Sequence, residues 1–339
     1  MELSRESGIS TMQSNEILPW LVGLTLGVGY SSAGLAQGAD PAPLIEQDDA
    51  LQVSDHVYVI LDDGRRYIPN VGIVIGDQAT LVVDPGLGLT NGEIVLEEAL
   101  KLSDNDKFYV VSTHYHSEHD LGAGAFPDDA TMIRSNDQQA DIEEFRLSHA
   151  QRLAQRTETL ANLLEGAYFR PADAFFEDEY SVDLGGVTVH MYAVGPAHTR
   201  GDTVFFVEED RVLFAGDVAM RRYPRLASPS SGVAVWLEAL AALQPLDVGV
   251  LVPSHGPLSD AATIDAYQAY FATIQSRVGE LVGQGVSADE IVEQLTAELA
   301  PTLSDWQEDG TAIIDATVRT AIDEAPQAGV GATLMPASH

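Results

Sequence analysis

The sequence predicts an α/β protein, a four-layer αββα sandwich with a C-terminal helical extension. Three observations predict it. First, one order of elements, short apolar strand, helix and polar loop, occurs over residues 80–119 and again over 204–255. Second, helical stretches with an apolar side lie between the strands, so each strand-rich half has helices to cover it. Third, from Thr263 onward the apolar spacing is helical only, three and four residues apart. The chain has 339 residues, 45% hydrophobic and 20% charged, enough for a large core.

Residues 1–36 read as a signal peptide. An apolar run over 17–28 follows Arg5, although Glu2, Glu6 and Glu16 dilute the positive start, and Met12 is an alternative first residue. Gly34 and Ala36 give a small-x-small cleavage site before Gln37. The run falls short of the ~20 residues of a membrane span. The expected mature chain starts near Gln37, has no membrane segment, and is periplasmic or secreted. Residues 37–52, polar and with prolines, read as a loose leader. Residues 53–260 form the expected catalytic domain, 261–325 the helical extension and 326–339 a disordered tail.

Strands are expected over 56–61 and 71–75, flanking the turn signal Asp62-Asp63-Gly64, and over 80–83, ending at Asp84. Thr90 with Glu93 three residues on is a capping-box pattern, so a helix is expected over 90–102, burying Ile94, Val95, Leu96, Ala99 and Leu100. A short strand over 131–133 precedes helix formers over 138–164, where His149 reads as a solvated helix residue. Residues 179–183 and 187–193 make a hairpin around Gly185-Gly186, with His190 as packing. Strands over 204–207 and 211–215 pair around Glu208-Glu209-Asp210, and a helix with Trp236 spans 233–243. Helices follow over 263–282, from the capping box Ser287–Glu290 through Leu299, and over 312–322. Pro301 stops the second of these.

The stretch Thr113-His114-Tyr115-His116-Ser117-Glu118-His119-Asp120 organises the chain. Three histidines and two carboxylates fall within it, after the apolar run 108–111 and before the small residues 121–126. A loop at a strand's C-terminal end is where α/β sheets place their sites. Imidazole and carboxylate donors suit zinc, iron or manganese. Three later pieces repeat the design. His198 lies in the turn-rich loop 195–203, Asp217 ends the apolar run 212–216, and His255 follows the run 248–253.

At these residues, over 53–257, the chain resembles the metallo-β-lactamase superfamily. The matches are His114, His116, His119, His198, Asp217 and His255, four elements in the family's order. The resemblance implies two divalent ions, Zn2+ in the first instance with Fe or Mn as alternatives. His114, His116 and His198 would hold one ion. His119 and His255, with Glu118 as a further donor, would hold the other, and Asp217 would bridge them. Asp84 would brace the loop. Such a pair lowers the pKa of bound water to ~7, and the hydroxide attacks an amide or ester-like carbonyl. The expected function is therefore metal-dependent hydrolysis of a small molecule, with β-lactam or lactone ring opening as the best guess. The alternative is a di-iron redox protein or a non-catalytic metal-bearing accessory of the same fold.

Glu118 departs from the family's usual Asp. It is longer by one methylene, roughly 1.5 Å, so it is expected beside the second ion as ligand or proton shuttle, with a weaker second site. Asp120 could substitute as ligand, although its position next to His119 should point it elsewhere. Arg221, Arg222 and Tyr223 follow Asp217 and read either as contacts to a substrate carboxylate or as a solvated loop.

Composition narrows the partners. The net charge is −35, from 52 acidic and 17 basic residues. Such a surface repels phosphate backbones and anionic lipid heads. It fits either a high-salt habitat or a merely acidic proteome. The absence of cysteine rules out disulfides, thiolate ligands and the Cys-containing lactamase subclass. Oligomeric state has no signature in the sequence.

Overall fold

The structure is a computed structural model that describes residues 42–301, 306 and 310–326. The expected signal peptide, the start of the leader and residues 327–339 lie outside the described residues. The first sheet runs β1 Ala50–Gln52, β2 Val57–Ile60, β3 Val71–Ile75, β4 Thr80–Val83, β5 Phe108–Val111, β6 Thr131–Ser135 and β7 Ala174–Phe176, side by side in chain order. It is antiparallel through β4 and parallel thereafter. The second sheet holds β8 Glu179–Asp183, β9 Thr188–Ala193, β10 Thr203–Val207, β11 Val212–Gly216 and β12 Val250–Pro253, in the order β12-β11-β10-β9-β8.

Two parallel pairs position the site. Between β4 and β5, Val83 stands opposite Val111, so Asp84 emerges beside Ser112 and Thr113. Between β11 and β12, Gly216 stands opposite Pro253, so Asp217 emerges beside Ser254 and His255. Parallel strands need a long crossover, and each pair is bridged by a helix: α1 Gly88–Leu102 in the first, and Val233–Leu243, here α6, in the second. Between these lie α2 Ser117–Asp120, α3 Asn136–Phe145, α4 Ser148–Ala154 and α5 Glu158–Leu163. After α6 come α7 Ala262–Gly283, α8 Ala288–Leu299 and α9 Thr311–Glu324.

Three apolar layers hold the sandwich together. The middle one joins the sheets, with Leu81, Val83 and Val111 against Met191, Phe205 and Phe214. Outside the first sheet, Ile73, Val82 and Val110 meet Ile94, Val95 and Ala99 of α1. Outside the second, Phe206 and Leu213 meet Trp236, Tyr267 and Phe271. Strand β10 shows the logic. Phe205 faces the middle layer and Phe206 the outer one, and the whole strand is buried. Each such aromatic contributes about 1.5–3 kcal/mol by leaving water.

Helices α8 and α9 share that outer core through Ile291, Leu295, Ile314 and Val318. They pack against α6 and α7. The Ser287–Glu290 capping box is present. At the other end, Glu324 accepts the N–H groups of Val233 and Ala234 at 2.9 and 3.2 Å, an anion set at the start of α6. No helix among the described residues is long and apolar enough to cross a membrane.

Three expectations are corrected. Helix α1 starts at Gly88, so Thr90 lies inside its first turn and makes no cap. Gly88 turns the chain at φ +76, and Asn91 Nδ2 donates to the Leu87 carbonyl at 2.8 Å. Residues 42–52 are not a loose leader. Ile45 is buried against the first sheet, its N–H donates to Asn91 at 2.8 Å, and β1 pairs with β2. Residues 138–164 form three short helices, broken where Arg146 takes φ +48 and where Thr157 caps α5.

Candidate metal centre

The strand ends described above converge on one cluster of side chains. Helix α2 follows His116 directly, so His116 is on extended backbone while Glu118 and His119 lie on the following turn. Gly216 takes φ +60, and a Cβ there would come within 2.9 Å of Thr113 Cβ. That close approach brings the end of β11, and so Asp217, against the histidine loop. The N–H of Thr203 also donates to the Thr113 carbonyl at 2.8 Å, tying the second sheet to the same loop.

Four of the histidines are oriented by what the outward nitrogen touches. His198 Nδ1 donates to the Arg225 carbonyl at 2.7 Å and His255 Nδ1 to the Ile68 carbonyl at 3.0 Å. His119 Nδ1 meets Asp84 Oδ2 at 2.9 Å. Thr113 gives its hydroxyl hydrogen to Asp84, so its oxygen accepts from His114 Nδ1 at 3.1 Å. A carbonyl or carboxylate can only accept, which assigns the proton to Nδ1 and leaves Nε2 bare toward the centre. Backbone and carboxylate partners behind the ring are the usual arrangement for metal-binding histidines.

The inward atoms form overlapping groups. His114 Nε2 lies 3.0 Å from His116 Nδ1, which lies 3.3 Å from His198 Nε2. Candidate donor atoms of His114, His116 and His198 lie within 4.8 Å of one another, as do those of His114, His119 and Asp217, and those of Glu118, His119 and His255. The expected first and second sets are thus both brought together, with Asp217 between them. Asp217 Oδ2 is 3.4 Å from His198 Nε2.

The donor set fits a cation. Burial, reinforced by the neighbouring histidines, pushes the His114 and His116 imidazoles well below their ordinary range. Neutral rings leave lone pairs for a cation, and His116 Nδ1 stands within hydrogen-bond distance of both His114 Nε2 and His198 Nε2. His119 Nε2, Asp217 Oδ1 and Glu118 Oε2 are buried with no hydrogen-bond partner among the described residues. Leaving such atoms unsatisfied costs about 1–3 kcal/mol each. Burial opposes charge on His119, but Asp84, Glu118 and Asp217 outweigh it and raise its pKa to about 9. Burial also raises Asp217, yet His198, His255 and His119 hold it below the usual carboxylate range. The field that draws a proton here also draws a metal ion.

Below the cluster lies a second set of polar groups. Asp84, itself at φ +55, takes the Thr113 N–H at 2.7 Å and the Ser254 hydroxyl at 3.1 Å in addition to His119. Asp120 points away from the cluster, as expected. Both its oxygens accept from Arg134 Nη2, at 2.8 and 2.9 Å, and both residues are fully buried.

Some residues at the centre escape sequence reasoning. Asn70 donates to the carbonyls of Pro253 and Gly256 at 2.8 and 2.9 Å, clamping the His255 loop. Asp62 accepts the Gly256 N–H at 3.0 Å and meets Arg222 Nη2 at 3.3 Å. The Asp62-Asp63-Gly64 turn signal gave no hint of this. His149, expected in solvent, is a correction: its Nδ1 lies 3.4 Å from Glu118 Oε2, and its ring stacks on His116 at 4.4 Å. Tyr223 is another. It packs in the outer core against Trp306 at 5.6 Å and is not part of a solvated loop.

Comparison with known proteins agrees with this geometry. A family model described as the metallo-beta-lactamase superfamily matches residues 64–255. A linear primary-alkylsulfatase from a Pseudomonas species is 22% identical over 278 residues, 68% of this chain and 50% of that protein. An atrochrysone carboxyl ACP thioesterase of Aspergillus fumigatus is 25% identical over 190 residues, 55% of this chain and 37% of that one. The chain thus spans half or less of these relatives. Among solved structures, a stereoselective inverting sec-alkylsulfatase from Pseudomonas matches with TM-score 0.60 and 15% identity. It covers 85% of this chain and 52% of that one. The DIM-1 metallo-beta-lactamase matches with TM-score 0.52 and 16% identity, covering 69% and 99%. At these identities the structural likeness is one of fold.

Proposed function

The chain belongs to the metallo-beta-lactamase superfamily, and we propose that it is a zinc-dependent hydrolase of a small-molecule ester. The observation that carries this is the set of three inward ring nitrogens, His114 Nε2, His116 Nδ1 and His198 Nε2, spaced 3.0 and 3.3 Å along the row. The buried, partnerless His119 Nε2, Asp217 Oδ1 and Glu118 Oε2 beside it supply a second set of donors. Divalent ions held there would supply a nucleophile at neutral pH and positive charge against the developing negative charge of the reacting group.

The chain's own residues set the geometry. Asp217 presents one oxygen toward His198 and a second with no partner among the described residues, so its carboxylate can serve both donor sets. Asp84 fixes the tautomer and plane of His119. Glu118 is placed to hold a donor position or to carry a proton, and general acid–base groups of this kind contribute typically 10²–10⁴-fold. Arg222, paired to Asp62 beside His255, adds a positive charge felt at Asp217.

For the scissile bond, acyclic esters take precedence over the lactam or lactone suggested by the motif alone. The alkylsulfatase structure matches a larger share of this chain than the lactamase does, 85% against 69%. An alkylsulfatase and a thioesterase are among the relatives by sequence. Site chemistry and not fold decides substrate, so the test is direct. Metal analysis of protein purified without chelator should give zinc, and iron would favour the redox reading. Turnover is then measured on an alkyl sulfate, a thioester, a lactone and a chromogenic cephalosporin. Zinc-loaded protein inactive on all four, or His116→Ala keeping full activity, would contradict the proposal.

A further inference from the structure

Basic residues are scarce in this chain, 17 against 52 acidic ones, so each should readily find a carboxylate. Arg65, Arg134, Arg200, Arg211, Arg277 and Arg319 do so. Arg66, Arg152 and Arg156 are exposed, and none of them meets a carboxylate among the described residues. Arg152 and Arg156 are four residues apart, a helical spacing at which like charges repel. Arg152 Nη1 reaches the neutral Ser148 hydroxyl at 3.4 Å.

Arg66 and Arg156 also converge on one ring. Their guanidinium carbons lie 4.9 and 5.7 Å from the centre of Tyr67. Arg156 Nη1 donates to the Tyr67 hydroxyl at 2.5 Å. The hydroxyl oxygen accepts there, which leaves its own hydrogen to be donated outward. Tyr67 packs against the apolar cluster of α4 and α5. Its backbone is held in the left-handed region at φ +66, a strained conformation for a bulky residue and one that recurs at ligand clamps. Two cations and a hydroxyl hydrogen are thus gathered without a carboxylate to answer them.

The group lies on the rim of the metal centre. Tyr67 precedes Ile68, whose carbonyl orients His255. From the other side, His149 of α4 stacks on His116 at 4.4 Å. Arg152 and Arg156 follow His149 by three and seven residues, and the Arg156 N–H still closes a turn on the Leu153 carbonyl at 3.0 Å. That spacing keeps all three on one helical face. Seven helical residues advance about 10 Å.

We propose that Arg66, Tyr67 and Arg156 form an anion subsite, and that the substrate carries a carboxylate or phosphate about 10 Å from the bond that is cut. Guanidinium forks match the oxygens of either group. The proposal rests on the reading of the chain as a hydrolase.

The experiment compares two S-ethyl thioesters of equal chain length, one of octanoate and one of suberate, which ends in a free carboxylate. Zinc-loaded parent, Arg66→Gln, Arg156→Gln and Tyr67→Phe are each checked for native circular dichroism. Tyr67→Phe keeps the ring and its packing and removes one donor. The parent is expected to show the lower KM for the suberate thioester. Each arginine variant should raise that KM about tenfold more than the KM for the octanoate thioester, the loss of one charge-assisted hydrogen bond, with kcat moving little. Binding of suberate and of hexyl phosphate to metal-stripped protein, followed by calorimetry, tests the subsite apart from turnover and distinguishes carboxylate from phosphate. Either anion should bind the parent about tenfold more tightly than Arg156→Gln. Equal KM values for the two thioesters in the parent overturn the proposal. So does metal-stripped parent that binds neither anion, or variants that bind as the parent does. Anion binding by the stripped protein with no turnover of either thioester by the zinc form would count against the hydrolase reading and not against the subsite.

Discussion

Asp120 and Glu118 flank His119 on one short helix, yet Asp120 belongs to the floor of the site and Glu118 to its face. In the floor, Asp120 is matched by Arg134 and Ser112, and Asp84 by Thr113, His119 and Ser254. At the face, Glu118 Oε2, Asp217 Oδ1 and His119 Nε2 lack a hydrogen-bond partner among the described residues. The difference separates two uses of buried polarity. Paired carboxylates hold backbone in place, although Arg134 Nε is itself without a partner among the described residues, whereas open carboxylate oxygens in a rigid frame suit an ion. The frame makes that tolerable, since relaxation that would pair the open atoms is blocked by the packed floor.

Breaking the floor should have the largest effect. Arg134→Met leaves Asp120 charged and uncompensated, at a cost of about 3–5 kcal/mol. Urea unfolding of metal-free protein measures it, and a loss under ~1 kcal/mol would mean the floor is not structural. Filling the face comes next. Metal at 100 times its dissociation constant should stabilise the parent by about 2.7 kcal/mol. His116→Ala should keep the parent's metal-free stability but lose most of that gain, read as the shift in Tm on adding Zn2+. An equal shift in both proteins would show that the ion binds elsewhere.

Asp141 is where the floor is least settled. Its Oδ2 accepts the Gly201 N–H at 2.9 Å and its Oδ1 meets Arg200 Nε at 3.1 Å, but burial raises its pKa from 3.8 to about 6. An acid whose folded pKa is raised stabilises the fold while protonated, and that contribution fades as pH climbs from about 4 through 6. Asp141→Asn keeps an acceptor for Gly201 and removes the titration. It should gain about 1–2 kcal/mol on the parent between pH 4.5 and pH 7.5, after allowance for the lost Arg200 pairing. Denaturant midpoints at the two pH values check this, and parallel pH dependences would refute it.

The smallest stability effect is expected at the face. Glu118→Gln should leave metal-free stability within ~0.5 kcal/mol of the parent, because no floor contact is lost. The same change should slow turnover and weaken the second metal equivalent. If metal content holds and only the acid side of the pH–rate profile changes, Glu118 carries a proton. If the second equivalent is lost first, Glu118 is a ligand.

Much of this was legible in the sequence. Short apolar runs marked the strands, and the order strand, helix, loop, read twice, marked the strand ends that carry Asp84, His114, Asp217 and His255. The capping box at Ser287 was readable because a cap is a local device, settled within four residues. Thr90 carried the same signal and failed, because Gly88 and Asn91 had already built the turn.

What the chain alone determined is therefore the inventory of donors and the strand ends that present them, because both follow from residue type and short-range periodicity. Only the tertiary structure decided which nitrogen of each ring faces inward, since the deciding partners are the carbonyls of Ile68 and Arg225 and the carboxylate of Asp84, remote from their histidines in sequence. It also decided that His149 leaves the solvent for Glu118 and that Tyr223 leaves the site for Trp306. The physical reason is one of range. Hydrogen-bond direction and burial depend on contacts between distant segments, and no local pattern encodes which segment will arrive.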